Sequence, residues 1–149
     1  MLRAKDIMTR EVITVKPSTT VEELAKLLTE HRISGAPVVN DRGELIGIVT
    51  EHDLISRNKR LHIPTVMRLF DAYIMLESPG TIEKEIKKMA ATAVGDIYTK
   101  EVITVTGDTT VEEIATIMSE KKVHLIPVVE GKTLRGIIGK IDVVKGMTK

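Results

Sequence analysis

The chain contains the same stretch of sequence twice. Residues 6–15, Asp-Ile-Met-Thr-Arg-Glu-Val-Ile-Thr-Val, return 90 positions later as Asp-Ile-Tyr-Thr-Lys-Glu-Val-Ile-Thr-Val at 96–105. Between Asp6 and Gly43, 18 of 38 positions are identical across that offset, which shared composition alone does not produce. Past Gly43 the offset shortens to 89, so Leu45–Val49 aligns with Leu134–Ile138 and Asp53 with Asp142. A tandem duplication of this kind demands one local fold built twice. A unit of about 50 residues buries too little apolar surface to stand alone, so the two copies are expected to pack against each other.

Local signals agree between the copies. Val12-Ile13-Thr14-Val15 reads as a short β-branched strand stopped by Pro17, with Gly107 in the equivalent place of the second copy. Thr19 or Thr20, with Glu22 or Glu23 three residues on, makes a capping box. It opens a helix whose apolar Val21, Leu24, Ala25 and Leu28 fall at i, i+3, i+4 and i+7, matched by Val111, Ile114, Ala115 and Met118. Pro37-Val38-Val39 and Leu45–Val49 flank Asn40-Asp41-Arg42-Gly43, whose turn chemistry suits a β-hairpin, and a last helix starts near Thr50. The unit is therefore β-α-β-β-α and the fold class α+β, with apolar strands that need a sheet covered on at least one face.

The organisation expected is a first unit over 1–57, an inter-repeat segment over 58–92 and a second unit over 93–149. The middle segment resembles neither copy. In it Asp71–Leu76 has the composition of an extra strand, and Ile82, Ile86, Met89, Ala90 and Ala93 keep a helical spacing after Pro79-Gly80. The basic run Arg57-Asn58-Lys59-Arg60 reads more readily as a solvated helix end than as a phosphate contact, because cations suit helix C-termini.

Composition narrows the function classes. Lys and Arg total 22 against 21 Asp and Glu, a net charge of +1, so no global field gathers nucleic acid or anionic lipid. Zero cysteines remove disulfides, thiol nucleophiles and Cys-ligated zinc, in keeping with a reducing compartment. The charged start, Met1-Leu2-Arg3-Ala4-Lys5-Asp6, lacks the apolar stretch of a signal peptide, and no run has the length of a membrane span, so the expectation is a cytoplasmic protein. The aromatics are Phe70, Tyr73 and Tyr98, so a base-binding pocket here would have aliphatic and backbone walls.

The segment Gly47-Ile48-Val49-Thr50-Glu51-His52-Asp53 sits where a strand hands over to a helix, and two readings of it stand side by side. In one, Thr50 caps the helix, Asp53 is its N3 acid, and nothing is bound. In the other, Thr50 and the free amides hold a phosphate while the Asp53 carboxylate accepts the hydroxyls of a ribose. The copy, Gly136-Ile137-Ile138-Gly139-Lys140-Ile141-Asp142, keeps the acid and replaces the hydroxyl with Gly139, which is also a tolerable cap. A second stretch, His31-Arg32-Ile33-Ser34-Gly35-Ala36-Pro37, puts small residues and a proline without N–H at the entry to a strand. That arrangement suits either a flat ligand or an ordinary helix-to-strand loop. His31, His52, His62 and His124 show no zinc or triad spacing, adjacent His52 and Asp53 point apart on a helix, and no catalytic residue or metal site is expected. The methionines follow apolar spacing and read as core filler.

Taken together, the duplicated unit, Ser34-Gly35-Ala36-Pro37-Val38-Val39 and the Gly-x-x-Thr-x-x-Asp ending over 47–53 resemble a tandem pair of CBS (cystathionine-β-synthase) domains, a Bateman module, over nearly the whole chain. The resemblance implies pseudo-twofold-related units packed sheet to sheet, with two clefts between them. Each cleft draws on both units and takes AMP, ADP, ATP or S-adenosylmethionine, in a module that forms a homodimer and signals to a partner. Carried over by position, the first cleft joins Thr50 and Asp53 to Val102, Ile103, Val123, His124 and Pro127. The second joins Asp142 to Met8, Val12, Ile13, Ile33, Ser34, Gly35, Ala36 and Pro37. In the resemblance the Asp takes the ribose, the hydroxyl takes phosphate, and main chain near Ile33 or Val123 meets the adenine edge; Gly139 leaves the second cleft without that hydroxyl. The alternatives are a structural dimerisation module with empty clefts and, less favoured by the balanced charge, a nucleic-acid binder; an enzyme is not expected.

Overall fold

The structure, a computed structural model, describes residues 1–61 and 92–148. The expected strand at Asp71–Leu76, the helical spacing from Ile82 to Ala90, and His62 lie outside them. In the first unit, α1 (Ala4–Ile7) precedes α2 (Val21–His31), the hairpin β1 (Gly35–Val39) and β2 (Leu45–Thr50), and α3 (Glu51–Leu61). In the second, a 3₁₀ turn at Val94–Asp96 precedes α4 (Val111–Lys121), β3 (Leu125–Glu130), β4 (Thr133–Gly139) and α5 (Lys140–Met147).

Of the candidate caps, Thr20 and Glu23 form the box: the Glu23 amide donates to Thr20 Oγ1 at 3.1 Å and the Thr20 amide to Glu23 Oε2 at 3.2 Å. In the copy the Glu113 amide donates to Thr110 Oγ1. Both helices end on a residue in the left-handed region, Arg32 at φ 52° and Lys122 at φ 54°, and this turns the chain back into β1 and β3. The two hairpins share one register: Gly35 faces Thr50, Leu125 faces Gly139, and both bulge at equivalent places near the turn, Val38/Val39 and Val128/Val129.

The stretch expected to form the first strand behaves differently. Val12 to Val15 is extended but touches the sheet at one parallel bridge, Val15 to Val38, and Val102 to Val105 does the same through Val105 and Val128. The reason lies in the space these segments occupy: Val15 and Val105 are buried at the sheet, Thr14 and Thr104 face solvent, Val12 and Ile13 are half-buried, and Val102 and Ile103 are half-buried on the wall of a cleft shared with the first unit. Ala93, placed at the end of a helical spacing in the sequence, is extended and bridges Thr20.

Each unit's opening segment packs into the other unit. Arg3 bridges Thr110 and Thr9 bridges Ile137, while Ala93 bridges Thr20 and Thr99 bridges Ile48. These are the same contacts exchanged by the repeat offset, so the molecule carries an approximate twofold. The cores follow the exchange. Val94, Ile97 and Tyr98 pack with Val21, Leu24, Val38 and Val49 in the first, and Ala4, Ile7 and Met8 with Ile114, Ile126, Val128 and Ile138 in the second. The hairpins also meet across the axis, where Glu44 bridges Thr133. Close approach of the exchanged segments requires glycine: a Cβ on Gly47 would collide with the Tyr98 ring and lie 2.6 Å from the Thr99 carbonyl oxygen.

Candidate functional site

At the end of β2 the Asp53 carboxylate closes a capping box on α3. Its Oδ2 accepts from the Thr50 amide at 2.9 Å and the Thr50 hydroxyl at 3.3 Å, while the Asp53 amide points back to Thr50 Oγ1 at 3.4 Å. Its other oxygen, Oδ1, accepts from Thr99 Oγ1 at 3.2 Å, a bond from the exchanged segment to the first unit's helix. Capping and exposure to a cleft coexist. Asp53 remains half-exposed, and a carboxylate oxygen with one partner keeps acceptor capacity.

Asp53 and Thr50 stand on one wall of a cleft of about 420 Å³ between the units, within the ordinary range for small-molecule sites. Val102, Ile103, Val123 and His124 line it as well, so six of the seven residues assigned to the first cleft from sequence come together. Pro127, the seventh, is fully buried behind them in β3. The sequence reading missed Ile48, Thr99, Glu101, Lys122 and Leu125 on the same walls. The identity of Thr99 with Thr9 across the repeat was the available signal for one of them.

Two expectations need correction here. His52 and Asp53 both line the cleft, because the first turn of α3 runs along its rim rather than end-on to it. Ser34, assigned to the second cleft, lines the first, since the start of β1 lies near the pseudo-axis beside Leu125. Ser34 and Glu51 also border an outer hollow between α2 and α3 with Arg32 and Leu54.

The remaining residues grouped with Asp142 are divided. Gly35, Ala36 and Pro37 are buried in β1, Met8 packs over Gly136 in the second core, and Val12, Ile13 and Ile33 are half-buried. Asp142 Oδ2 accepts from the Gly139 amide at 2.8 Å, repeating the cap of Asp53 without a hydroxyl.

The first cleft therefore offers aliphatic walls from Ile48, Val102, Ile103 and Val123, a carboxylate edge and a hydroxyl. That combination fits a flat apolar ring carrying a vicinal diol. Among the described residues, no group of three or more His, Asp or Glu is set to hold a metal ion. His31 is exposed in the last turn of α2. No helix among the described residues is long and apolar enough to cross a membrane.

The CBS domain family model matches residues 4–60 and 94–149. The chain belongs to the CBS domain family, as a tandem pair. Among curated relatives it is 32% identical over 141 residues to the chloroplastic CBS domain-containing protein CBSX1 of Arabidopsis thaliana, covering 88% of this chain and 57% of the relative. It is 30% identical over 142 residues to the methylated protein MJ0556 of Methanocaldococcus jannaschii, covering 95% of this chain and 67% of that one. The chain thus spans little more than half of CBSX1. One repeat-sized match, 46% over 56 residues, lies in the inosine-5'-monophosphate dehydrogenase of Korarchaeum cryptofilum and makes up 12% of that enzyme. Among solved structures, CBSX2 in complex with AMP superposes with a TM-score of 0.74 at 28% identity, covering 99% of this chain and 97% of CBSX2. The CBS domain pair of protein MJ0100, in complex with 5'-methylthioadenosine and S-adenosyl-L-methionine, gives 0.70 at 26% identity, covering 100% and 99%. The α+β fold of this CBS pair is that of its solved relatives, and such pairs include binders of adenosyl ligands.

Proposed function

We propose that this CBS pair is a non-enzymatic, cytoplasmic regulatory module that binds an adenine nucleotide, AMP, ADP or ATP, or S-adenosylmethionine, and signals occupancy to a partner protein. The observation that carries the reading is the Asp53 carboxylate at the edge of an aliphatic cleft walled by both units. Thr50 and Asp53 take phosphate and ribose, and Val102, Ile103, Val123 and His124 enclose the base. Asp142, with Val12, Ile13 and Ile33, forms a second site of the same design lacking the hydroxyl. The relatives solved with AMP and with S-adenosylmethionine support the ligand class. A ligand spanning both units favours whichever relative arrangement it binds better, and the partner reads that arrangement. Thr99 ties the route together, since a ribose on Asp53 competes with its hydroxyl for Oδ1.

The module is a homodimer in this reading. Ile55 on α3 and Val144 on α5 occupy equivalent positions in the two copies and are 66% and 53% exposed, with Ile141 and Met147 exposed beside Val144. The α5 face is the apolar one, since His52 and Asn58 stand on α3 at the positions of Ile141 and Met147, and an exposed apolar face with a counterpart at Ile55 is what an interface between identical chains can use.

A thermal-shift panel of AMP, ADP, ATP and S-adenosylmethionine tests the ligand. At 100 times its Kd a ligand adds about 2.7 kcal/mol, which raises Tm by roughly 5–10 °C in a chain of this size. The rise should vanish in Asp53→Ala. Unchanged melting across the panel would favour the structural dimerisation module with empty clefts.

A further inference from the structure

The proposed first cleft holds an unusual balance of charge for a nucleotide site. Glu51, Asp53 and Glu101 line it against one ammonium, Lys122, with His52 and His124 completing its polar rim. At the equivalent positions of the second copy stand Lys140, Asp142, Glu11 and Arg32, two acids against two bases. The duplication has conserved the ribose acid and altered the charge around it.

We infer that the first cleft selects adenosyl ligands by the charge of the 5' tail, taking an uncharged, sulfonium or monophosphate tail and discriminating against a triphosphate. The inference rests on the adenosyl reading of this cleft and adds the class of tail. A cavity of about 420 Å³ is roughly 8 Å across, less than the ~10 Å screening length at 0.1 M salt, so a charge anywhere in it feels every ionised group on the walls. With three carboxylates facing one ammonium, each added phosphate oxyanion meets net repulsion. The Glu51 amide is already held by the Ser34 carbonyl at 2.8 Å and the Asp53 amide by Thr50 Oγ1, which leaves the Thr50 hydroxyl, turned from Asp53 Oδ2, to meet one phosphate and no more. A sulfonium cation meets attraction instead. The second copy's equivalents supply no such bias, because Lys140 replaces Glu51.

Nitrogen-15-labelled protein titrated without magnesium, using 5'-methylthioadenosine, S-adenosylmethionine, AMP and ATP, reads the first cleft on its own through the amides of Ile48, Thr50, Ile103 and Val123. The expected order of affinity there is S-adenosylmethionine at least equal to methylthioadenosine, AMP close to both, and ATP at least tenfold weaker than AMP. Raising NaCl from 50 to 500 mM should narrow the gap between AMP and ATP. Glu51→Lys, which installs the residue of the second copy, should shift the ratio of ATP to methylthioadenosine affinity about tenfold toward ATP. ATP binding these amides as tightly as AMP, or a salt-independent gap, would overturn the tail selectivity and leave the adenosyl site standing. If none of the four ligands moves these amides, the adenosyl reading itself falls, and this inference with it.

Discussion

Thr50 and Gly139 are the most informative pair of residues in the chain, because they do one structural job with different chemistry. Both start a helix whose N3 acid, Asp53 or Asp142, accepts their backbone amide. Glycine is nearly as good a cap as threonine, whereas alanine is poor, so Thr50→Gly should cost a few tenths of a kcal/mol and Thr50→Ala about 1 kcal/mol in urea unfolding. Binding should ignore that ranking. Both variants remove the hydroxyl proposed to hold phosphate, and both should weaken AMP several-fold at the first cleft in calorimetric titration. If Thr50→Gly keeps full AMP affinity, the hydroxyl is only a cap. The Thr-x-x-Asp spacing was legible in the sequence for either role; the role of Thr99 was not, because a hydrogen bond 46 positions away in sequence depends on which unit its segment joins.

At the scale of elements, the hairpins and the two long helices follow from patterns that act over a few residues: the capping threonines, the apolar i, i+3, i+4 spacing and the turn at Gly43. The exchange of opening segments leaves no such trace, since Ala4, Ile7 and Met8 have the same apolar character whichever core receives them. For the same reason Val12–Val15 looked like a strand, when β-branched composition records burial and extension and not ladder pairing. The exchange nevertheless makes the two equivalent glycines unequal. A Cβ on Gly47 would meet the rigid Tyr98 ring and the Thr99 carbonyl, whereas one on Gly136 would meet chiefly the end of the flexible Met8 side chain, 2.5 Å from its sulfur, with the Thr9 oxygen at 3.0 Å. Gly47→Ala should therefore cost about 1–3 kcal/mol and Gly136→Ala distinctly less, measured by chemical denaturation. Equal losses would mean that Tyr98 yields as easily as Met8.

The whole molecule is held together by exchange within the chain and, in the proposed reading, also by pairing between chains. Pairing is the simpler to break: Ile55→Asp with Val144→Asp puts a carboxylate at the middle of both exposed helix faces, and sedimentation should then show a monomer that still melts cooperatively. A dimer surviving the double change would place the interface elsewhere. Exchange goes deeper, because Ala4, Ile7 and Met8 belong to the second unit's core. The Ala4 amide donates to the Thr109 carbonyl at 2.7 Å and the Val111 amide to the Leu2 carbonyl at 3.1 Å, which fixes the strap at the start of α4. Deleting residues 1–8 removes Ala4, Ile7 and Met8 from that core, a loss of about 3–5 kcal/mol at the usual value for buried apolar groups. The first unit keeps its own borrowed strap, Val94, Ile97 and Tyr98. Hydrogen exchange on the deleted chain should accordingly lose protection in residues 102–148 well before residues 12–56, although the cut is at the far end of the sequence from the region that opens. Protection lost first in residues 12–56 would mean that each unit is stabilised by its own sequence neighbour and that the exchanged strap does not couple the two halves. If the second unit opens first, a ligand that grips Asp53 and strains Thr99 acts on a segment already committed to the first unit's core, and occupancy of the cleft reaches the rest of the molecule through a covalent strap rather than through side-chain contacts alone.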